Sequence, residues 1–266
     1  MSKSLCEHLG LERIAAGVFE RQCDRTWWAL GSLIGGYAQA LTLKAICCAL
    51  DEPARQPLTL STHFLRPFVD GNFRAEVSVE RQGRVMTNAS ARLWSGGKLA
   101  ATALASFALR KSGHEFLETS MPDVEPVRPG EEPVEPKVGL AAHDRFAMYP
   151  RIGSFEHGGG PAERAGWVCP RESTPVDEFL LATIADLWVP AAFQRWSDPP
   201  GVAGVDMTIH YRTPLPLPPE DASLPLFVVL RSVASAYGYV DEDGEIWSPS
   251  GRLLLQYRQM RIVLGR

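Results

Sequence analysis

The sequence predicts an α+β chain made of one unit used twice, a long apolar helix followed by antiparallel strands. Three observations carry this prediction. A Pro- and Glu-rich stretch cuts the chain into two pieces of similar size. Each piece holds a helix-length apolar run followed by strand-like segments. A His-aromatic pair (His63-Phe64, His210-Tyr211) and a Trp-Ser turn (Trp94-Ser95, Trp247-Ser248) recur in the same order in both.

In the first piece, residues 28–50 are small and apolar nearly throughout, which predicts a helix buried on most sides. A strand at 58–67 carries His63-Phe64-Leu65-Arg66-Pro67. Strands at 73–81 and 87–94 follow, and Gly96-Gly97 turns the chain into a last strand at 98–109. Residues 110–139 contain Pro122, Pro126, Pro129, Pro133 and Pro136 among acidic residues. With few apolar side chains, this segment reads as an extended linker. The predicted division is 1–110, 111–139 and 140–266.

The second piece repeats the order. A strand around Trp167-Val168-Cys169 precedes a helix over 175–192. Ser173 and Thr174 are N-cap candidates, Pro175 suits the first helical position, and Asp177 and Glu178 suit the positive end of the helix dipole. Strands are predicted at 205–214, 226–239 and 252–263. A curved sheet wrapped around an apolar helix is the hotdog arrangement, and two copies on one chain make a double hotdog with two long central helices, an expectation that rests on the family resemblance given below as well as on the pattern.

Bulk properties exclude several classes. The 266 residues are 45% hydrophobic and 22% charged, with a net charge of −4, which gives no basic domain for nucleic-acid binding. The five cysteines include no C-x-x-C, so reduced thiols in a cytoplasmic protein are the simplest expectation. Residues 1–20 lack a signal-peptide core, and no run approaches 18 apolar residues, so no membrane partner is expected. The six histidines show no ligand spacing, and no phosphate loop or dinucleotide fingerprint occurs. No metal and no cofactor is expected. His157-Gly158-Gly159-Gly160 resembles an oxyanion loop, but the chain has no G-x-S-x-G nucleophile elbow.

A few residues stand out chemically. Asp186 lies within Leu180-Leu181-Ala182-Thr183-Ile184-Ala185-Asp186-Leu187-Trp188-Val189. A carboxylate there must be partnered, protonated or at a cleft, unless the position faces solvent. Alternation puts Gln259 on one side with Leu255 and Tyr257, where its amide needs partners; a solvent-exposed strand end is the alternative. Gly35-Gly36 suits a helix start or a close backbone approach, and free N–H groups at a helix start can polarise a carbonyl. Arg66, Arg81, Arg84 and Arg92 are possible phosphate contacts or plain solvated charges.

The run Gly35-Gly36-Tyr37, Ser61-Thr62-His63-Phe64-Leu65-Arg66-Pro67 and Arg81-Gln82-Gly83-Arg84 resembles the first half of acyl-CoA thioesterase II proteins. The second half is similar to theirs through Ala185-Asp186, Val205-Asp206-Met207-Thr208-Ile209-His210-Tyr211, and Gly251-Arg252-Leu253-Leu254 with Gln259. The resemblance implies a double hotdog that hydrolyses acyl-CoA to free acid and CoA. It implies one water held by an Asp matching Asp186 and a Gln matching Gln259. The third residue implied is a Thr two positions before Asp206, where this chain has Gly204. Thr208 is expected on the same face, about 13 Å further along at ~3.3 Å per residue.

Gly35, Gly36, Gly204, His63 and Arg66 are the further substrate or oxyanion candidates. In the first half, Gln39 and Ala105 stand where Asp186 and Gln259 stand in the second, so one site is expected per chain. The alternatives are a non-catalytic acyl-CoA binding or sensing protein and an enoyl-CoA hydratase, the latter lacking a His beside Asp186. By analogy of fold, a homo-dimer or homo-tetramer is expected.

Overall fold

Residues 86–95 alternate between buried and more exposed positions, as a strand does when one face packs on a core. Strands like this dominate the computed structural model, which describes residues 9–265 apart from 24, 30, 70, 112, 137–139 and 220. The first half contributes β1 (Glu12–Ala15), β2 (Val18–Gln22), the short pair β3 (Trp28–Ala29) and β4 (Ser32–Leu33), β5 (Gln56–Phe64), β6 (Asn72–Gln82), β7 (Met86–Ser95) and β8 (Lys98–Ala108). The second contributes β9 (Phe146–Ile152), β10 (Glu163–Pro170), β11 (Val202–Tyr211), β12 (Leu226–Arg231), β13 (Ser235–Ala236), β14 (Tyr239–Trp247) and β15 (Leu253–Val263).

One antiparallel sheet runs in the order β1-β2-β6-β7-β8-β5-β11-β15-β14-β12-β10-β9, with β13 beside β14. The halves meet edge to edge through β5 and β11, where Ser61 stands opposite Thr208 and accepts a 3.0 Å hydrogen bond from its hydroxyl. β1, β2, β9 and β14 are strands that the pattern reading did not predict, and the strand expected at 226–239 is broken into β12 and β13.

Among the described residues two α-helices pack against each other, α1 (Gly35–Leu50) and α2 (Glu178–Ile184), and α1 lies against β5, β6 and β7. The expected pair of long central helices is therefore corrected, because α1 has 16 residues and α2 only 7. The run at 175–192 is mostly buried without being helical throughout. The cap of α2 is Asp177, not Ser173 or Thr174; its carboxylate accepts the N–H groups of Phe179 and Leu180 at 3.0 and 2.8 Å. Past Ala185 the chain turns, and beyond Pro190 it makes only a short 3₁₀ helix, Ala191–Gln194. Trp28–Ala29 and Ser32–Leu33 pair as the β3–β4 ladder rather than forming helix, and Gly35 opens α1.

Residues 121–131, within the Pro- and Glu-rich segment, pack on the second half. Met121, Val124 and Val127 cover a second apolar cluster of Ala165, Trp167, Phe227, Val229, Trp247 and Leu253. Trp167 Nε1 donates 2.8 Å to the Glu125 carbonyl, and Arg151 pairs with Glu131 at 2.9 Å. Three apolar side chains suffice because the sheet supplies the rest of the cluster. The segment is a strap across the outer face of the second half-sheet.

Candidate active site

The start of α1 and the end of α2 cross so closely that only glycine fits between them. A Cβ on Gly36 would lie 2.5 Å from the Thr183 carbonyl oxygen and 2.8 Å from that of Ala182. This crossing brings Asp186, two residues beyond α2, to the first turn of α1. Asp186 Oδ2 accepts the Gly36 N–H at 3.2 Å. The positive end of the α1 dipole and a free N–H favour a carboxylate there. Asp186 thus sits in the turn after the helix rather than within it.

The last strand supplies the other side of the site. Gln259 is 3% exposed, faces inward as alternation predicts, and donates 2.7 Å to Glu242 Oε1. Arg261, two residues on and on the same face, places Nη2 at 2.8 Å from Asp186 Oδ1 and 3.3 Å from Glu242 Oε1. Glu242 Oε2 accepts the Ala191 N–H at 3.0 Å, so both of its oxygens are held. Burial alone would push the Arg261 pKa down, but the Asp186 and Glu242 carboxylates hold it above its usual value. Nearby Arg164 is 1% exposed, and burial pulls its pKa down to about 10 against the pull of Glu242, so it too is a cation at neutral pH.

Gly204 stands opposite Arg261 in the β11–β15 ladder, so it offers no side chain beside the guanidinium. A Cβ there would lie 3.2 Å from the Phe64 ring, and a Cβ on Gly35 would lie 2.7 Å from Asp186 Oδ2 and 3.3 Å from the same ring. Phe64 therefore wedges between the two glycines. The pairing shifts register between Gly204 and Asp206. This bulge reverses the alternation beyond it. Thr208 consequently pairs with exposed Arg258 and bonds Ser61, so it does not share the Gly204 face as expected.

Of the sequence candidates, the structure brings Gly35, Gly36, Asp186 and Gly204 around Phe64 and Arg261, with Gln259 joined through Glu242. It does not bring His63 and Arg66 there; both are exposed, and Arg66 donates 2.9 Å to the Leu99 carbonyl. Gln39 is buried near Thr62 in the first half, and Ala105 is buried in β8. Glu242 and Arg261 were not singled out from sequence. Alternation from Gln259 places Arg261 inward, whereas Glu242 lies in a stretch not read as a strand. A cleft of about 590 Å³, lined in part by Arg195, Trp196, Tyr237 and Val263, opens at the end of β15. Among the described residues, no cluster of three or more His, Cys, Asp or Glu is placed to hold a metal, and no helix is long and apolar enough to cross a membrane.

Comparison with known proteins decides the family. Residues 24–108 match the acyl-CoA thioesterase N-terminal domain, and residues 121–263 match the acyl-CoA thioesterase C-terminal domain. The chain belongs to the acyl-CoA thioesterase family. It is a thioester hydrolase of hotdog fold. A Mycobacterium tuberculosis protein, itself uncharacterized, is 26% identical over 94% of this chain and 92% of its own length. A hot dog fold protein of unknown function from Alicyclobacillus acidocaldarius superposes with a TM-score of 0.86 at 25% identity, covering 97% of each chain. A putative thioesterase II from Thermobifida fusca shares the fold, with a TM-score of 0.82 at 22% identity over 97% and 96% of the two chains.

Proposed function

We propose that this thioesterase hydrolyses acyl-CoA to free acid and CoA, with Asp186 as the base that orients and deprotonates one water. The observation that carries the reading is the Asp186 carboxylate, held on one oxygen by the Gly36 N–H and on the other by Arg261. Gln259 is the second group that holds the water.

The water oxygen adds to the thioester carbonyl carbon as its proton passes to Asp186. The carbonyl oxygen takes up negative charge at the N-terminus of α1. Collapse breaks the C–S bond, and the CoA sulfur leaves with the proton returned from Asp186. The Gly36 N–H is already engaged by the carboxylate, so the developing charge rests on the dipole of α1 and its other first-turn N–H groups. The cleft beside Val263, with Arg195 and Trp196 on its wall, is the proposed seat of the CoA portion.

The test is CoA release from acetyl- to palmitoyl-CoA, followed by mass spectrometry, for the natural chain and Asp186→Asn. A loss of at least about tenfold is expected, since a positioned base contributes roughly 10²–10⁴-fold. Equal release by the two proteins would remove Asp186 from the mechanism. Acyl-CoA bound by the natural chain without any release would favour a binding role instead.

A further inference from the structure

We propose that Arg261, anchored by Glu242, is the positioning residue of this site: it fixes the Asp186 carboxylate in its working orientation and ties it to Gln259. The inference rests on the hydrolytic reading above and deepens it.

Four observations carry it. First, a single nitrogen, Arg261 Nη2, reaches both carboxylates, at 2.8 Å to Asp186 and 3.3 Å to Glu242. With the Gly36 N–H on the other oxygen, the Asp186 carboxylate is fixed at two points. Second, the same Glu242 oxygen accepts from Gln259 at 2.7 Å, so one atom relates the two proposed water-holding groups. Third, Glu242 is itself immobilised, because its other oxygen binds the Ala191 N–H at the start of the 3₁₀ helix. Fourth, the neighbour of Arg261 in β11 is Gly204, so no β11 side chain stands opposite the arginine there.

Stability alone does not account for such a network. A buried ion group often stabilises a protein no more than apolar side chains of similar volume. A fixed carboxylate orientation is a different matter, because a base displaced by 1 Å can lose ~10²-fold in rate.

The experiment compares Arg261→Met/Glu242→Leu, which removes the cation and one anion together, with Asp186→Asn and the natural chain, in steady-state CoA release and thermal melts. The expected result is a folded double variant whose kcat falls at least about tenfold while KM stays within about threefold, the signature of a lost transition-state contribution. Natural kcat in a folded double variant, with Asp186→Asn inactive, overturns the positioning role and leaves the hydrolytic reading standing. Full activity of Asp186→Asn removes Asp186 from the mechanism and overturns this inference with it. If the double variant does not fold, Arg261→Gly assayed with added ethylguanidinium takes its place. Recovery of at least about tenfold, absent for Asp186→Asn, supports the role, and no recovery overturns it.

Discussion

Asp186 and Arg261 meet at 2.8 Å although they arrive from different elements, one from the turn after α2 and the other from the last strand. Their pairing depends on how closely α1 and α2 cross, and the two glycines at that crossing have different jobs. A methyl group on Gly36 would strike backbone carbonyls, which cannot swing aside. Gly36→Ala is expected to cost roughly 1–3 kcal/mol or more, as overpacking does. A methyl group on Gly35 would strike Asp186 Oδ2, the end of a side chain that can rotate away. Gly35→Ala is expected to keep the fold and lose CoA release. Thermal melts and rates of both variants check this, and an equal fall in melting temperature would contradict it.

Gly204→Thr is expected not to raise activity by itself. The new Cβ would meet the Phe64 ring at 3.2 Å, and Arg261 already stands opposite. Room for a hydroxyl would require the ring to shift. Comparing kcat of Gly204→Thr with and without Phe64→Leu tests this, and a rate gain from the single substitution would show that Phe64 is not the obstacle.

Asp177 gives a pH signature. Burial, with Glu178 adding, raises its carboxyl pKa from 3.8 to about 6, although two N–H groups of α2 oppose the rise. The folded protein then holds this proton more tightly than the unfolded chain does. Its contribution to stability is complete below the unfolded pKa and is lost as pH rises through about 6. Relative to Asp177→Asn, the natural chain should lose up to about 3 kcal/mol of stability between about pH 4 and pH 6, at ~1.4 kcal/mol for each tenfold difference in proton affinity. Denaturant melts across that range measure it, and parallel curves for the two proteins would contradict it.

The strap depends on Trp167, whose ring packs 4.9 Å from that of Phe227 and whose N–H holds the Glu125 carbonyl. Trp167→Ala is expected to cost about 3–5 kcal/mol, as large-to-small changes in a core do. It should also open the segment between the halves to proteolysis. Limited digestion of the variant, with cleavage sites read by mass spectrometry, is the check; unchanged resistance would mean that the strap is held elsewhere.

The sequence by itself determined the duplicated plan, most of the strands and the inward side of Gln259. These follow from period-2 alternation and local turn chemistry, which act over a few residues. It also marked Asp186 and Gly35-Gly36 as residues out of place in their surroundings. The tertiary structure decided the rest. α2 stops at Ile184, where the start of α1 crosses its last carbonyls, although the apolar run continues. A bulge at β11 turns Thr208 outward, an event of strand pairing that no local pattern records. The strap lies down because a distant sheet offers it an apolar face. Arg261 and Glu242 become neighbours of Asp186 only when β14 and β15 pair beneath the α2 turn, and a charge shows its partner only once the chain has brought the two together.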